Sequence, residues 1–212
     1  MDLTTPLDDL MPGLRGHVLT VVLRSPRPLT GREVARRAGT VSHSSVKLVL
    51  DSLATAGIVR LSLVSGAGHF YELNKDHVLA GPLRQMDRAL DEFLAMAQRL
   101  IRSWPTAPLS VVLFGSVARG TSTADSDVDL LIVWPDDLSH ASWWTAARVE
   151  FTNQLQDFVG SSVSLVEFSL DDWHGAIEND DPFTVSIRND GRSVYGADVR
   201  DLVAATRPAA LA

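Results

Sequence analysis

The sequence predicts a two-domain α/β chain of α+β type: a small helical module closed by a hairpin, a linking helix, and a second module on a small mixed sheet. Three observations predict it. Charge is split, with nine Lys/Arg against six Asp/Glu in residues 1–75 and ten against twenty in residues 76–212. Apolar residues recur at helical spacing up to Gly57, then alternate as in a hairpin. Finally, "LFGSVARGTSTADSDVDLLIVW", residues 113–134, sets two aspartates inside a run otherwise built for burial.

At 212 residues, 45% of them hydrophobic and 21% charged, the chain has the make-up of a soluble globular protein. No apolar run approaches the roughly 20 residues of a membrane span. The opening "MDLTTPLDDLMPG" lacks the basic and apolar regions of a signal peptide. The expected location is therefore the cytoplasm, with no membrane partner. The absence of cysteine excludes disulfide scaffolds and thiolate metal sites.

In the first module, Leu14, Val18, Val21 and Val22 share a helical face that "PRP" terminates. Thr30 and Glu33 hold capping-box positions for a second helix, with Val34, Ala35 and Ala38 inward. A third helix opens at the N-cap residue Ser42 and closes at Gly57, with Val46, Val49, Leu50 and Leu53 as its apolar stripe. "IVRLSLVSGAGHFYELN" then reads as a hairpin. Three short helices and a hairpin describe a winged helix-turn-helix, and "TGREVARRAGTVSHSSVKLVLDSLATAGIV" resembles bacterial transcription regulators of the MarR or ArsR type. The resemblance implies DNA binding by Ser42, His43, Ser44, Ser45 and Lys47 on the recognition helix. Arg32 and Arg36 would grip the backbone. A wing without Arg or Lys in "SGAGH", and a net charge of only +3, leave protein contacts or dimerisation as the alternative to DNA binding.

"KDHVLAGPLRQMDRALDEFLAMAQRLIRSW" carries its apolar residues at helical spacing, which predicts one long amphipathic helix starting after Gly81-Pro82. It would brace the modules or pair two chains as a homodimer. Two prolines in "WPTAPL" end it, so the expected domains are 1–75, a linker helix at 76–106, and 107–212.

In the second module "SVVLFG" reads as a buried strand and Gly115-Ser116 as the turn into a helix. Glycine admits close backbone approach, and amides at a helix start suit a phosphate. In the returning strand Asp127 and Asp129 are two residues apart and share a face. Carboxylates so close repel, and a divalent cation such as Mg²⁺ between them would offset the repulsion.

"GSVARGTSTADSDVDLLIV" resembles the signature of the nucleotidyltransferase superfamily, to which DNA polymerase beta belongs, and particularly its minimal and kanamycin-nucleotidyltransferase-like members. The resemblance implies a triphosphate held by Gly115 and Ser116, with Arg119 near the phosphates. It also implies two divalent ions, Mg²⁺ or Mn²⁺, on Asp127 and Asp129, and a third carboxylate on a later strand. Glu167, the only acid in "SSVSLVEFSL", is the expected third, although the family usually has Asp there.

The implied activity is transfer of NMP from an NTP, with ATP the expected donor, to a hydroxyl of a protein, nucleic acid or small molecule. Small relatives often occur in toxin–antitoxin or defence pairs, so a partner protein is one acceptor the resemblance allows, and the acceptor itself stays open. The alternative is a DNA-binding regulator whose second module senses nucleotide or is inactive. Asp171 and Asp172 read as residues of a helix start, and Trp143 and Trp144 as core.

Overall fold

The computed structural model describes residues 1–40, 42–64, 68–136 and 141–203. The chain divides into two compact units, Asp2–Leu90 and Asp91–Ala212. No helix among the described residues is long and apolar enough to cross a membrane.

The first unit begins with a short helix, α1 (Pro6–Leu10), which the sequence reading did not anticipate. Helices α2 (Leu14–Arg24), α3 (Gly31–Arg37) and α4 (His43–Thr55) follow. Strands β1 (Leu29–Thr30), β2 (Val59–Val64) and β3 (Gly68–Leu73) form an antiparallel sheet in the order β1-β3-β2. Each helix contributes its apolar stripe to one core: Val18 and Val22 from α2, Val34 from α3, and Val46, Leu50 and Leu53 from α4. These meet Val59, Tyr71 and Leu73 of the sheet. Full burial of each leucine contributes about 1.5–3 kcal/mol.

The helix starts follow their local chemistry. Thr30 Oγ1 accepts from the Glu33 amide at 3.3 Å, and Glu33 Oε2 accepts from the Thr30 amide at 2.8 Å, the reciprocal capping box. Ser42 Oγ caps α4 through the Ser45 amide, and Gly57, at φ 74°, turns the chain out of it. Residues 65–67 of the hairpin tip lie outside the described residues, as do His140 and the alanine-rich tail.

The single linking helix expected after Pro82 is instead two, α5 (Ala80–Met86) and α6 (Ala89–Ile101). Asp87, between them, accepts from the Arg24 guanidinium at both oxygens, Oδ1 from Nη2 at 2.7 Å and Oδ2 from Nε at 3.0 Å, and this fixed partner coincides with the break.

The second unit is a four-stranded mixed sheet. Its elements are β4 (Ser110–Phe114), α7 (Gly115–Arg119), β5 (Val128–Trp134), α8 (Ser142–Val159), β6 (Val163–Ser169), α9 (Leu170–Glu178), α10 (Pro182–Asp190) and β7 (Arg192–Gly196). The strand order is β6-β5-β4-β7, with β5 and β6 parallel and the other pairs antiparallel. Helix α8 makes the crossover that a parallel pair requires.

Alternation along the strands sorts side chains onto two faces. On one face Val112, Leu131 and Val133 pack with Val166, Phe168, Trp173 of α9 and Ile187 of α10. On the other Trp134 lies against Trp144 of α8 and Trp104, with ring centroids 4.9 and 5.6 Å away. Both faces of β5 are therefore covered beyond its first residues, which is why "LLIVW" reads as a continuous apolar run. Trp144 is core, as its sequence suggests. Ser169 is the N-cap of α9, and Asp171 and Asp172 occupy its first turn.

Candidate active site

The site forms where β4 ends and β5 begins. Register pairs Phe114 with Asp129, so Gly115, the next residue, arrives beside the Asp129 carboxylate. Gly115 turns with φ 74°, a left-handed conformation that side chains other than glycine rarely adopt. Space imposes the same choice, because a β-carbon at 115 would collide with Asp129 Oδ2. The carboxylate therefore rests on bare backbone at the mouth of the turn.

Helix α7 is only five residues long, closed by Gly120 in the left-handed region. Ser116 lies half-buried in its first turn and Arg119 is exposed in its last. Asp127 precedes β5 and is exposed, while Asp129 is partly buried within it. Burial pushes the Asp129 carboxyl above the usual carboxylate range, the neighbouring Asp127 pushes it further, and the Arg119 charge opposes both. Arg119 Nη1 also stands 4.0 Å from Asp190 Oδ2, at the end of α10. The structure thus gathers Gly115, Ser116, Arg119, Asp127 and Asp129 at one corner.

Glu167 is not brought to that corner. In the β5–β6 register Glu167 pairs with Ile132, whereas Asp129 pairs with Ser164. The two acids are three positions apart along the strands, about 10 Å, and stand on opposite faces of the sheet. Glu167 Oε2 accepts from Trp144 Nε1 at 2.5 Å, and Oε1 lies 3.2 Å from Arg148 Nε. A cavity of about 520 Å³ on that face is lined by Trp144, Arg148, Asn153 and Glu167, away from the aspartates. Among the described residues no three His, Cys, Asp or Glu side chains are grouped to hold a metal.

The residues present do fit one hard cation. Asp127 stands two residues before Asp129, close enough for its charge to act on that carboxylate. Asp129 sits in a cradle that a β-carbon would fill, and oxygen donors suit Mg²⁺ or Mn²⁺.

Residues 95–186 match the family described as nucleotidyltransferase domain, and the span includes α7, both aspartates and β6. That segment is a nucleotidyltransferase domain. The chain accordingly carries a transferase.

Solved structures similar to it include a toxin–antitoxin protein with AMP-PNP, at 22% identity over 52% of this chain and 81% of that one, TM-score 0.37. A mutant of the toxin–antitoxin MntA-HpeT is 19% identical over 52% and 80%, TM-score 0.36. A nucleotidyltransferase described as putative, from Sulfolobus solfataricus, is 20% identical over 49% and 79%, TM-score 0.28. No curated protein matches the chain.

In the first unit Arg32, His43 and Lys47 line one cavity of about 520 Å³ with Thr30, Gly31, His69 and Tyr71. Lys47 Nζ is bound to Asp51 Oδ2 at 2.5 Å. Ser42 and Ser45 are joined through their hydroxyls at 2.6 Å, so both are engaged in capping α4, while Ser44 and Arg36 are exposed. Sequence reasoning missed His69 and Tyr71, which the hairpin returns to the α4 side. It also missed Ser164, whose signal is a polar residue between Val163 and Leu165.

Proposed function

We propose that the second unit transfers NMP from an NTP, most simply ATP, to an acceptor hydroxyl, using a divalent cation held by Asp127 and Asp129. The observation that carries this reading is the Asp129 carboxylate seated on the Gly115 turn beside Asp127, inside the nucleotidyltransferase domain. Gly115 lets backbone approach the triphosphate closely. Ser116 offers a hydroxyl to a phosphate oxygen, and Arg119 supplies positive charge nearby. Asp127 and Asp129 would hold the cation and so position the triphosphate for the acceptor hydroxyl.

A bound divalent ion would neutralise charge on the phosphates and stabilise the leaving oxygen. The acceptor oxygen bonds to the α-phosphorus, the bond to the bridging oxygen breaks, pyrophosphate departs, and the hydroxyl proton passes to water. The chain contributes position and charge, with no covalent intermediate.

We further read α2–α4 and the three-stranded sheet as a winged helix in which Arg32, His43 and Lys47 meet the phosphates of DNA. Their convergence on one cavity supports this. The exposed Arg36 and Ser44 would extend the contact, and Ser42 and Ser45 would hold the start of α4 in place.

Incubation with labelled ATP, Mg²⁺ and protein, RNA or small-molecule acceptors tests the transfer. Pyrophosphate release by the wild type, lost in an Asp127→Ala/Asp129→Ala double variant, is the expected result. Equal and negligible release from both would end the catalytic reading.

A further inference from the structure

Two carboxylates make a ligand set for one divalent ion; a second ion needs another acid on the same face. The register shows where it would stand. Asp129 pairs with Ser164 across the parallel strands β5 and β6, about 4.8 Å apart, and paired residues share a face. Ser164 is exposed there, between Val163 and Leu165, which face the other way. Among the described residues no third acid is grouped with Asp127 and Asp129: Glu167 is bound to Trp144 and Arg148 on the opposite face, and Asp190 lies across Arg119, 4.0 Å from its guanidinium.

We propose that this site binds a single divalent ion with its triphosphate, and that Ser164 occupies the position from which a third carboxylate would recruit a second. The inference rests on reading Asp127 and Asp129 as the nucleotide-metal ligands. A serine hydroxyl is neutral and cannot balance another divalent charge, whereas a carboxylate can. The site therefore grips and orients the triphosphate but, among the described residues, offers no third carboxylate to draw an ion onto the acceptor oxygen. Replacing Ser164 by Asp completes the set without disturbing the core, because the position is exposed.

The test counts ions without relying on turnover. The full-length chain is titrated with Mn²⁺ at saturating non-hydrolysable ATP analogue. Free Mn²⁺ is read by electron paramagnetic resonance and bound nucleotide by equilibrium dialysis. The wild type is expected to hold one Mn²⁺ per bound nucleotide, Ser164→Asp two, and Ser164→Asn one.

Two ions on the wild type would overturn the proposal, and that count decides even if a variant fails to fold. A Ser164→Asp chain that melts normally and binds nucleotide, yet keeps one ion, would overturn it as well. A wild type that binds neither analogue nor Mn²⁺ overturns instead the assignment of Asp127 and Asp129 on which it rests.

Discussion

The Asp129 carboxylate occupies the space that a side chain at Gly115 would fill. Two constraints meet at this one residue: positive φ and no room. Gly115→Ala should therefore lose about 1–2 kcal/mol from the left-handed backbone alone. The displaced carboxylate should lower pyrophosphate release by more than about tenfold, the effect of losing little more than 1.4 kcal/mol of transition-state stabilisation. Thermal melts and initial rates check the two effects separately.

Asp129 gives a pH signature whose sign follows from its environment. Its folded-state pKa is raised, chiefly by burial and then by Asp127. Without metal, ionised Asp129 costs stability at neutral pH, and the cost fades as pH falls through the raised value toward the unfolded value of about 3.9. Asp129→Asn should melt higher than wild type at pH 7 in chelator and equal to it near pH 4. It should also release no pyrophosphate. A lower melting point at pH 7 would contradict the buried, repelled carboxylate.

Glu167→Gln separates the two faces of the sheet. It weakens the ion pair with Arg148, a half-exposed contact worth less than about 1 kcal/mol. Binding of Mn²⁺ and nucleotide should stay within twofold of wild type in the titration described above. A tenfold loss would place Glu167 in the metal site after all.

The capping box of α3 is a local stability device. Thr30→Ala should cost about 1 kcal/mol, measured by urea unfolding followed by circular dichroism. Glu33 is held down to about 2, first by Arg27 and then by the backbone and hydroxyl of Thr30. Its contribution is fully present above the ordinary value of 4.5 and is lost as pH falls through about 2. The difference between Thr30→Ala and wild type should shrink across that window.

If the cavity of the first unit meets DNA phosphates, Arg32→Ala and Lys47→Ala should each weaken binding similarly on all sequences. Each should reduce the slope of log affinity against log salt by about 1. Gel shifts at several salt concentrations read this directly, and slopes unchanged in both variants would exclude phosphate contact there.

Much of the site was legible because its parts are local. The turn glycine, the small polar loop and aspartates two apart are properties of neighbouring residues, and the strand–turn–strand geometry brings them together. The third carboxylate was not, because it depends on the register between β5 and β6 and on which face each strand presents. Glu167 stood out as the lone acid in its strand, but alternation places it with Ile132 and under α8. The same limit hid His69 and Tyr71, whose place beside α4 depends on how the hairpin folds back. The break between α5 and α6 escaped because Asp87 answers to Arg24, 63 residues earlier.

All five tryptophans, at 104, 134, 143, 144 and 173, belong to the unit Asp91–Ala212, and none to Asp2–Leu90. Indole emission during denaturation is thus a private reporter of the second unit, whereas far-ultraviolet ellipticity averages over both. Superimposed curves from the two probes would mean the units melt as one cooperative block. Separated midpoints would give each its own stability, with no need to cut the chain.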